Sequence, residues 1–161
     1  MMFYHVMLCV LLILPYHAIA GTEFVARVLA VHEGDRVTIH YRGKNEMVAL
    51  RDVNGPEPKQ PYGKQAKHAT AAYLANRDVV VRDITKDQEG RTTADILLND
   101  GRNIAHELVK EGLAWVQPGE VHDPALKDLE ELARASKHGL WSEPAPVPPW
   151  KWKPTKSARH N

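Results

Sequence analysis

At 161 residues, 43% hydrophobic and with 25% charged side chains, the chain has the length and apolar content of one globular domain with a proper core. Its net charge of +1 excludes a uniformly basic coat that would bind polyanions without selectivity. A lone cysteine, Cys9, excludes a disulfide framework and a multi-thiolate metal site.

Residues 1–20, MMFYHVMLCVLLILPYHAIA, hold no Asp, Glu, Lys or Arg. The apolar run Val6–Leu14 is too short to span a bilayer, and Ala18-Ile19-Ala20 is a small-x-small cleavage site. This pattern predicts a signal peptide and a secreted or periplasmic protein. Left uncleaved, the segment becomes a membrane anchor instead. Cleavage removes Cys9, so the mature chain has no thiol. Three segments follow: 1–20 the signal, 21–141 a folded domain, 142–161 a tail.

From Phe24 the apolar residues alternate through Val31, Glu33-Gly34-Asp35 breaks the run, and Val37, Ile39 and Tyr41 resume it. After the turn Arg42–Asn45 a third strand runs from Met47 to Val53, which makes a three-stranded antiparallel meander. Tyr62-Gly63 opens a helix with Ala66, Ala69, Tyr73 and Leu74 at helical spacing. Strands at Asp78–Ile84 and Thr92–Leu98 flank the polar turn Lys86–Gly90. A short helix carries Ile104, Leu108 and Val109 and stops at Gly112. A third helix starts at Asp123-Pro124, with the aspartate as N-cap, and ends at Gly139. Its stripe of Leu126, Leu129 and Leu132-Ala133 is read as packing.

The proline-dense tail SEPAPVPPWKWKPTKSARHN excludes helix and sheet pairing and predicts an extended segment lying across the domain. Three strands, helix, two strands and two helices are the layout of an α+β protein, a five-stranded OB-type β-barrel with about three helices.

Three polar clusters fall at strand ends: Glu33-Gly34-Asp35, Asn54-Gly55-Pro56-Glu57 and Asp87–Arg91. A barrel rim brings such ends together. Side-chain oxygens of Asp35 and Asn54 with the Gly55 carbonyl form a hard-oxygen set suited to Ca²⁺. Glu57, flanked by Pro56 and Pro58, is positioned as a general base towards water, and Arg91 as a phosphate clamp. Taken singly, each cluster is more often a turn or a solvated surface charge.

In combination the motifs carry more. VLAVHEGDRVTIHYRG, VALRDVNGPE, QPYGKQAKHATAAYL, DQEGRTTADILLNDGRNIAHELVKEGLAWV and ARASKHGLW resemble the staphylococcal nuclease-like (thermonuclease) family over nearly all of residues 24–141. The VPPWKWK of the tail is similar to that of secreted bacterial members. The resemblance implies an OB barrel and a calcium-dependent phosphodiesterase of DNA and RNA. It puts metal ligation on Asp35, Asn54 and the Gly55 carbonyl, water activation on Glu57 and one phosphate-clamping arginine on Arg91.

The chain departs from the family pattern at four places. The second clamping arginine aligns with Ala49, a metal-binding aspartate is Asn54, the tyrosine before Gly-Arg is Glu89, and tyrosines after the GLA segment are replaced by Gln117-Pro118-Gly119. A charge-stabilising arginine is worth on the order of 10³–10⁵ in rate for phosphoryl transfer. Arg51, two residues beyond Ala49 in the same strand, points to the same face and lies roughly 6.6 Å further along. It is the candidate substitute, with Arg36 second.

Other chemistries lack support. The nine histidines show no ligand spacing, no serine sits in a nucleophile elbow, and no Gly-rich phosphate cradle follows a strand, which removes nucleotide cofactors. Trp150 and Trp152 either stack on bases or dock the tail, while Trp115 and Trp141 are expected in the core. The leading reading is a monomeric, calcium-dependent nuclease. The alternatives are a catalytically weakened OB-fold binder of single-stranded nucleic acid and an envelope interaction module.

Overall fold

The computed structural model describes residues 22–154 apart from Glu120. The expected signal peptide, Cys9 and the end of the tail lie outside the described residues. Strands β1 (Glu23–Glu33), β2 (Arg36–Tyr41), β3 (Lys44–Leu50), β5 (Asp78–Lys86) and β6 (Thr92–Leu97) close a barrel in the order β1-β2-β3-β6-β5. A second pair joins β4 (Val53–Asn54) to β7 (Trp115–Val116). Helices α1 (Gly63–Leu74), α2 (Ile104–Lys110) and α3 (Ala125–Ala135) complete the expected α+β fold.

Closure depends on β1. Its first half pairs with β5 (Phe24 opposite Val81) and its second with β2 (Val28 opposite Ile39). Irregularities in the β1–β2 register between Val28 and Ala30 and between Val31 and Glu33 bend the strand between its two partners, as bulges do at barrel corners. The β2–β3 hairpin turns through Arg42 and Gly43, both at positive φ (49° and 75°), which matches the twist of the flanking strands. Parallel pairing of Ala49 with Thr93 and Leu50 with Ala94 seals the last seam.

One core runs from the barrel interior (Val28, Ile39, Leu50, Val81, Ile96) to the helices (Leu74, Leu108, Leu126). The inward residues are those the period-two alternation selects, and their outward neighbours Val25, Leu29 and Met47 are exposed.

The structure corrects several boundaries. The third strand stops at Leu50, because Arg51 and Asp52 form a turn with Asp52 at φ 62°. Val53-Asn54 belongs to the separate β4–β7 pair. Pro124 occupies the α3 N-cap, although Asp123 Oδ1 still accepts the Ala125 N–H at 3.0 Å, the bond expected of a capping aspartate. In the α3 stripe Leu126 and Ala133 are buried but Leu132 is 61% exposed. Trp115 is buried as expected and meets Trp141 edge-on at 5.7 Å.

Candidate active site

Asp35 lies in the β1–β2 turn, which α1 clamps. A Cβ on Gly34 would stand 2.7 Å from the Ala66 Cβ, so only glycine lets the helix sit this close, and Thr70 donates its hydroxyl to the Gly34 carbonyl. The Asp35 carbonyl accepts the Leu50 N–H at 2.8 Å, which ties the turn to the end of β3. Its carboxylate is 6% exposed and accepts the Gly55 N–H through Oδ2 at 3.0 Å. Burial pushes its pKa up, against the opposing pull of the Gly55 N–H and the Arg36 guanidinium. A Cβ on Gly55 would crowd the Asp35 nitrogen at 3.2 Å. Two loops twenty residues apart thus meet at Asp35 and Gly55.

Asn54, next to Gly55, opens into a cavity of about 610 Å³ whose wall also carries Arg51, Arg91, Gln117, His122 and Trp150. Gln117 Nε2 donates to Asn54 Oδ1 at 3.4 Å. The three loops therefore converge in part. Arg51, Asn54 and Arg91 share this wall, and Asp35 adjoins it through Gly55.

Glu57 is placed differently. Its carboxylate is exposed, lies outside that wall and makes no hydrogen bond or ion pair among the described residues. Its backbone is fixed: its N–H donates to Gln60 Oε1 at 3.1 Å and its carbonyl accepts the Gln60 N–H at 2.9 Å. A Cβ on Gly63 would fall 2.1 Å from the Glu57 carbonyl oxygen, so the helix start packs directly on it. The flanking prolines are only part of what holds this loop. The buried Gln60 and Gly63 do the rest.

Arg91 is already engaged. Its Nε donates to Asp87 Oδ2 at 2.7 Å and Nη2 to Glu89 Oε2 at 3.3 Å. The Asp87 bond, with the charges of Asp87, Glu89 and Asp35, raises its pKa above the ordinary arginine value. Glu89, standing where the resemblance implies a tyrosine, occupies the guanidinium and puts a negative charge beside it. Removing that charge by Glu89→Gln is expected to lower KM for an oligonucleotide by about 2- to 5-fold, the scale of one exposed ion pair, as measured by steady-state cleavage at low salt. An unchanged or higher KM would show that Glu89 does not obstruct the site.

Arg51 is the unusual group. It does not extend β3 beside Ala49, as the strand argument expected; it reaches the cavity from the turn that ends the strand. Only 9% of its side chain is exposed, its nearest carboxylate oxygen is Asp95 Oδ1 at 3.8 Å, and neither Nε nor Nη2 has a hydrogen-bond partner among the described residues. Buried guanidinium donors without acceptors are costly. Arg36 sits directly opposite Ala49 in the β2–β3 ladder, but it pairs with Glu33 at 3.5 Å and lies outside the cavity wall.

The sequence reading passed over two contributors to this region. Asp52 is buried and accepts the His122 Nδ1–H at 2.9 Å and the backbone N–H groups of His122 and Asp123, which pins the chain entering α3 against the cavity. Gln60, a plain polar residue in a proline-rich loop, carries no pattern that marks it.

A closed five-stranded barrel with three helices has the architecture of an OB-type α+β fold. The sequence model of the staphylococcal nuclease homologues matches residues 47–143. An uncharacterized endonuclease of Escherichia coli O157:H7 is 35% identical over 127 residues, 79% of this chain and 83% of that protein. A micrococcal nuclease of Shigella flexneri is 30% identical over 144 residues, 83% of each. An uncharacterized endonuclease of Haemophilus influenzae is 31% identical over 128 residues, 79% of this chain and 71% of its own. The chain belongs to the family of staphylococcal nuclease homologues, and with it to the nuclease hydrolases.

Proposed function

We propose that this protein is a calcium-dependent nuclease that hydrolyses phosphodiester bonds of DNA and RNA by attack of water. The observation that carries this is Arg51: a buried guanidinium whose Nε and Nη2 find no acceptor among the described residues, in the same wall as Arg91 and Asn54. Two cations flanking a polar cavity match the charge that spreads over the phosphoryl oxygens in the transition state.

The donor set fits calcium. It consists of the Asp35 carboxylate, the Asn54 amide oxygen and the Gly55 carbonyl, all hard oxygens, and among the described residues no group of three His, Cys, Asp or Glu side chains competes as a metal centre. The raised pKa of Asp35 supports the same reading, since a buried carboxylate gains most from a cation beside it. With a single formal negative charge, the site belongs to the weaker end of calcium binding. Bound there, the cation would neutralise phosphoryl charge and polarise the phosphorus towards attack. Glu57, exposed and two residues beyond Gly55, takes a proton from the attacking water. Arg51 and Arg91 bind the phosphoryl oxygens as the bond to the leaving alkoxide breaks.

Asp35 gives a direct test. Its folded-state pKa is raised, so its contribution to stability is present below the unfolded value and lost as pH rises through the folded value. At neutral pH without a cation, the buried charge destabilises the fold. Asp35→Asn keeps an acceptor for the Gly55 N–H and removes the charge, so its thermal midpoint in a chelator is expected to rise by roughly 2–4 °C. The Ca²⁺-induced rise of the parent is expected to vanish in the variant. A parent midpoint that ignores Ca²⁺ at millimolar concentration would remove Asp35 as a ligand.

A second reading, a binder of single-stranded nucleic acid that cleaves poorly, is favoured by the engagement of Arg91 with Asp87 and Glu89. Digestion of DNA with Ca²⁺ and with a chelator separates the two, because a binder retains oligonucleotide at low salt without shortening it. The charge-free, apolar residues 1–20 support export, and we propose that the nuclease acts outside the cytoplasm.

A further inference from the structure

The described part of the tail is fastened to the domain. Tyr62 Oη and Ser142 Oγ share a hydrogen bond at 2.8 Å, and Gln60 Nε2 donates to the Val147 carbonyl. Trp152 is half-buried and shares a small cavity of about 150 Å³ with Gln60, Trp115 and Leu140. Of the two tail tryptophans, Trp152 is therefore the one that docks.

Trp150 does not dock. A single 3₁₀ turn, Pro149–Lys151, follows Pro148, whose carbonyl accepts the Lys151 N–H at 2.9 Å. That turn leaves Trp150 44% exposed, a large apolar surface for a residue held on a rigid, proline-framed support. Trp150 belongs to the wall that carries Arg51, Asn54 and Arg91, and also to that of a neighbouring cavity of about 700 Å³ lined by Gln117, Pro118 and Gly119. Gln117-Pro118-Gly119 is the stretch with no aromatic residue to meet a base. An exposed indole, two cavity guanidiniums and a segment lacking rings adjoin one another.

We propose that Trp150 is the stacking platform for a base of single-stranded nucleic acid, supplied to the active-site cavity by the C-terminal tail. The proposal rests on the nuclease reading and specifies its substrate class. Phosphates are drawn by Arg51, Arg91 and the exposed Lys151 and Lys153, and the neighbouring base lies on the indole. Every base offers a π-face, so the platform discriminates little among sequences. Bases inside a duplex are already stacked on each other, so it favours single strands over duplexes.

The test uses the full-length protein, its Trp150→Ala and Trp150→Phe variants, and two substrates of equal length: a single-stranded deoxyoligonucleotide and one built from abasic residues. Trp150→Ala is expected to raise KM on the base-bearing strand about 5- to 100-fold. Its kcat is expected to stay within about 2-fold, since the platform acts on binding rather than on chemistry. Trp150→Phe recovers most of the loss, and neither variant changes cleavage of the abasic strand. An unchanged KM for Trp150→Ala overturns the proposal. So does an equal loss on both substrates, which assigns the tail to bracing Gln60 and the Glu57 loop. If the parent cleaves neither strand, the nuclease reading fails by itself. Oligonucleotide affinity measured in a chelator then decides the platform: a weaker Kd for Trp150→Ala only on the base-bearing strand supports it, and equal Kd values overturn it.

Discussion

Arg51→Ala is expected to lower kcat on DNA by about 10³-fold or more while leaving the protein as stable as its parent, or more so. Loss of activity without loss of stability is the signature of a group kept for its chemistry. The Arg51 side chain is 9% exposed, meets Asp95 only at 3.8 Å and has two nitrogens without acceptors among the described residues, so its removal relieves a desolvated cation rather than breaking a tight pair. Asp95 is left without its counter-charge. Burial already holds the Asp95 pKa above its ordinary value, with Arg51 opposing, so the variant raises that pKa further and the carboxyl becomes neutral more readily. Urea unfolding and steady-state kinetics on the same preparations check both halves. Arg51→Lys keeps the charge and loses the planar fork, and is expected to recover only part of the rate. An alanine variant with parental kcat would make Arg51 a structural residue and leave the vacancy at Ala49 unfilled.

Glu57→Gln has the second largest expected effect, a fall in kcat of about 10²- to 10⁴-fold with little change in oligonucleotide affinity. The substitution is nearly isosteric, and the contacts that hold the loop are to the Glu57 backbone: its N–H to Gln60 Oε1, its carbonyl to the Gln60 N–H. The carboxylate is exposed and makes no hydrogen bond or ion pair among the described residues, so its loss is expected to cost the fold little. Binding of a labelled oligonucleotide in a chelator, compared with single-turnover cleavage in Ca²⁺, separates the chemical step from affinity. If cleavage survives, a different group activates the water. Asp35 cannot serve both as that base and as a ligand.

The barrel was legible because its strands are buried on one side: Ala26 and Val28, Val37 and Ile39, Val48 and Leu50 are buried and alternate with half-buried or exposed neighbours, and that period survives in the sequence. The end of β3 was not legible. Leu50, Arg51, Asp52 and Val53 read as a continuing strand, yet the chain turns at Asp52 without a glycine or proline to mark it. The two-residue pair of β4 with β7 was equally hidden, since two residues define no period.

The site divides in the same way. Turn chemistry at Gly34-Asp35 and Gly55 marked the two loops that meet, but their meeting is a long-range fact fixed by Ala66 packing on Gly34 and by the Gly55 N–H on Asp35. Strand face puts Arg51 beside Ala49, but the strand ends at Leu50 and Arg51 reaches the cavity wall from the turn that follows. The prolines beside Glu57 are visible in the sequence as restraints on its loop, whereas Gln60 and Gly63, which also hold it, carry no such mark. The proline-rich composition of the tail does not tell its two tryptophans apart, whereas the structure docks Trp152 and leaves Trp150 exposed.

The most direct test of the account is the rate at which the parent protein cleaves a fluorescent single-stranded oligonucleotide in millimolar Ca²⁺, then in excess chelator, then with Ca²⁺ restored. A site in which Asp35, Asn54 and Gly55 hold the cation beside Arg51 and Arg91 predicts cleavage, its loss and its return. Cleavage that continues undiminished in the chelator would contradict it.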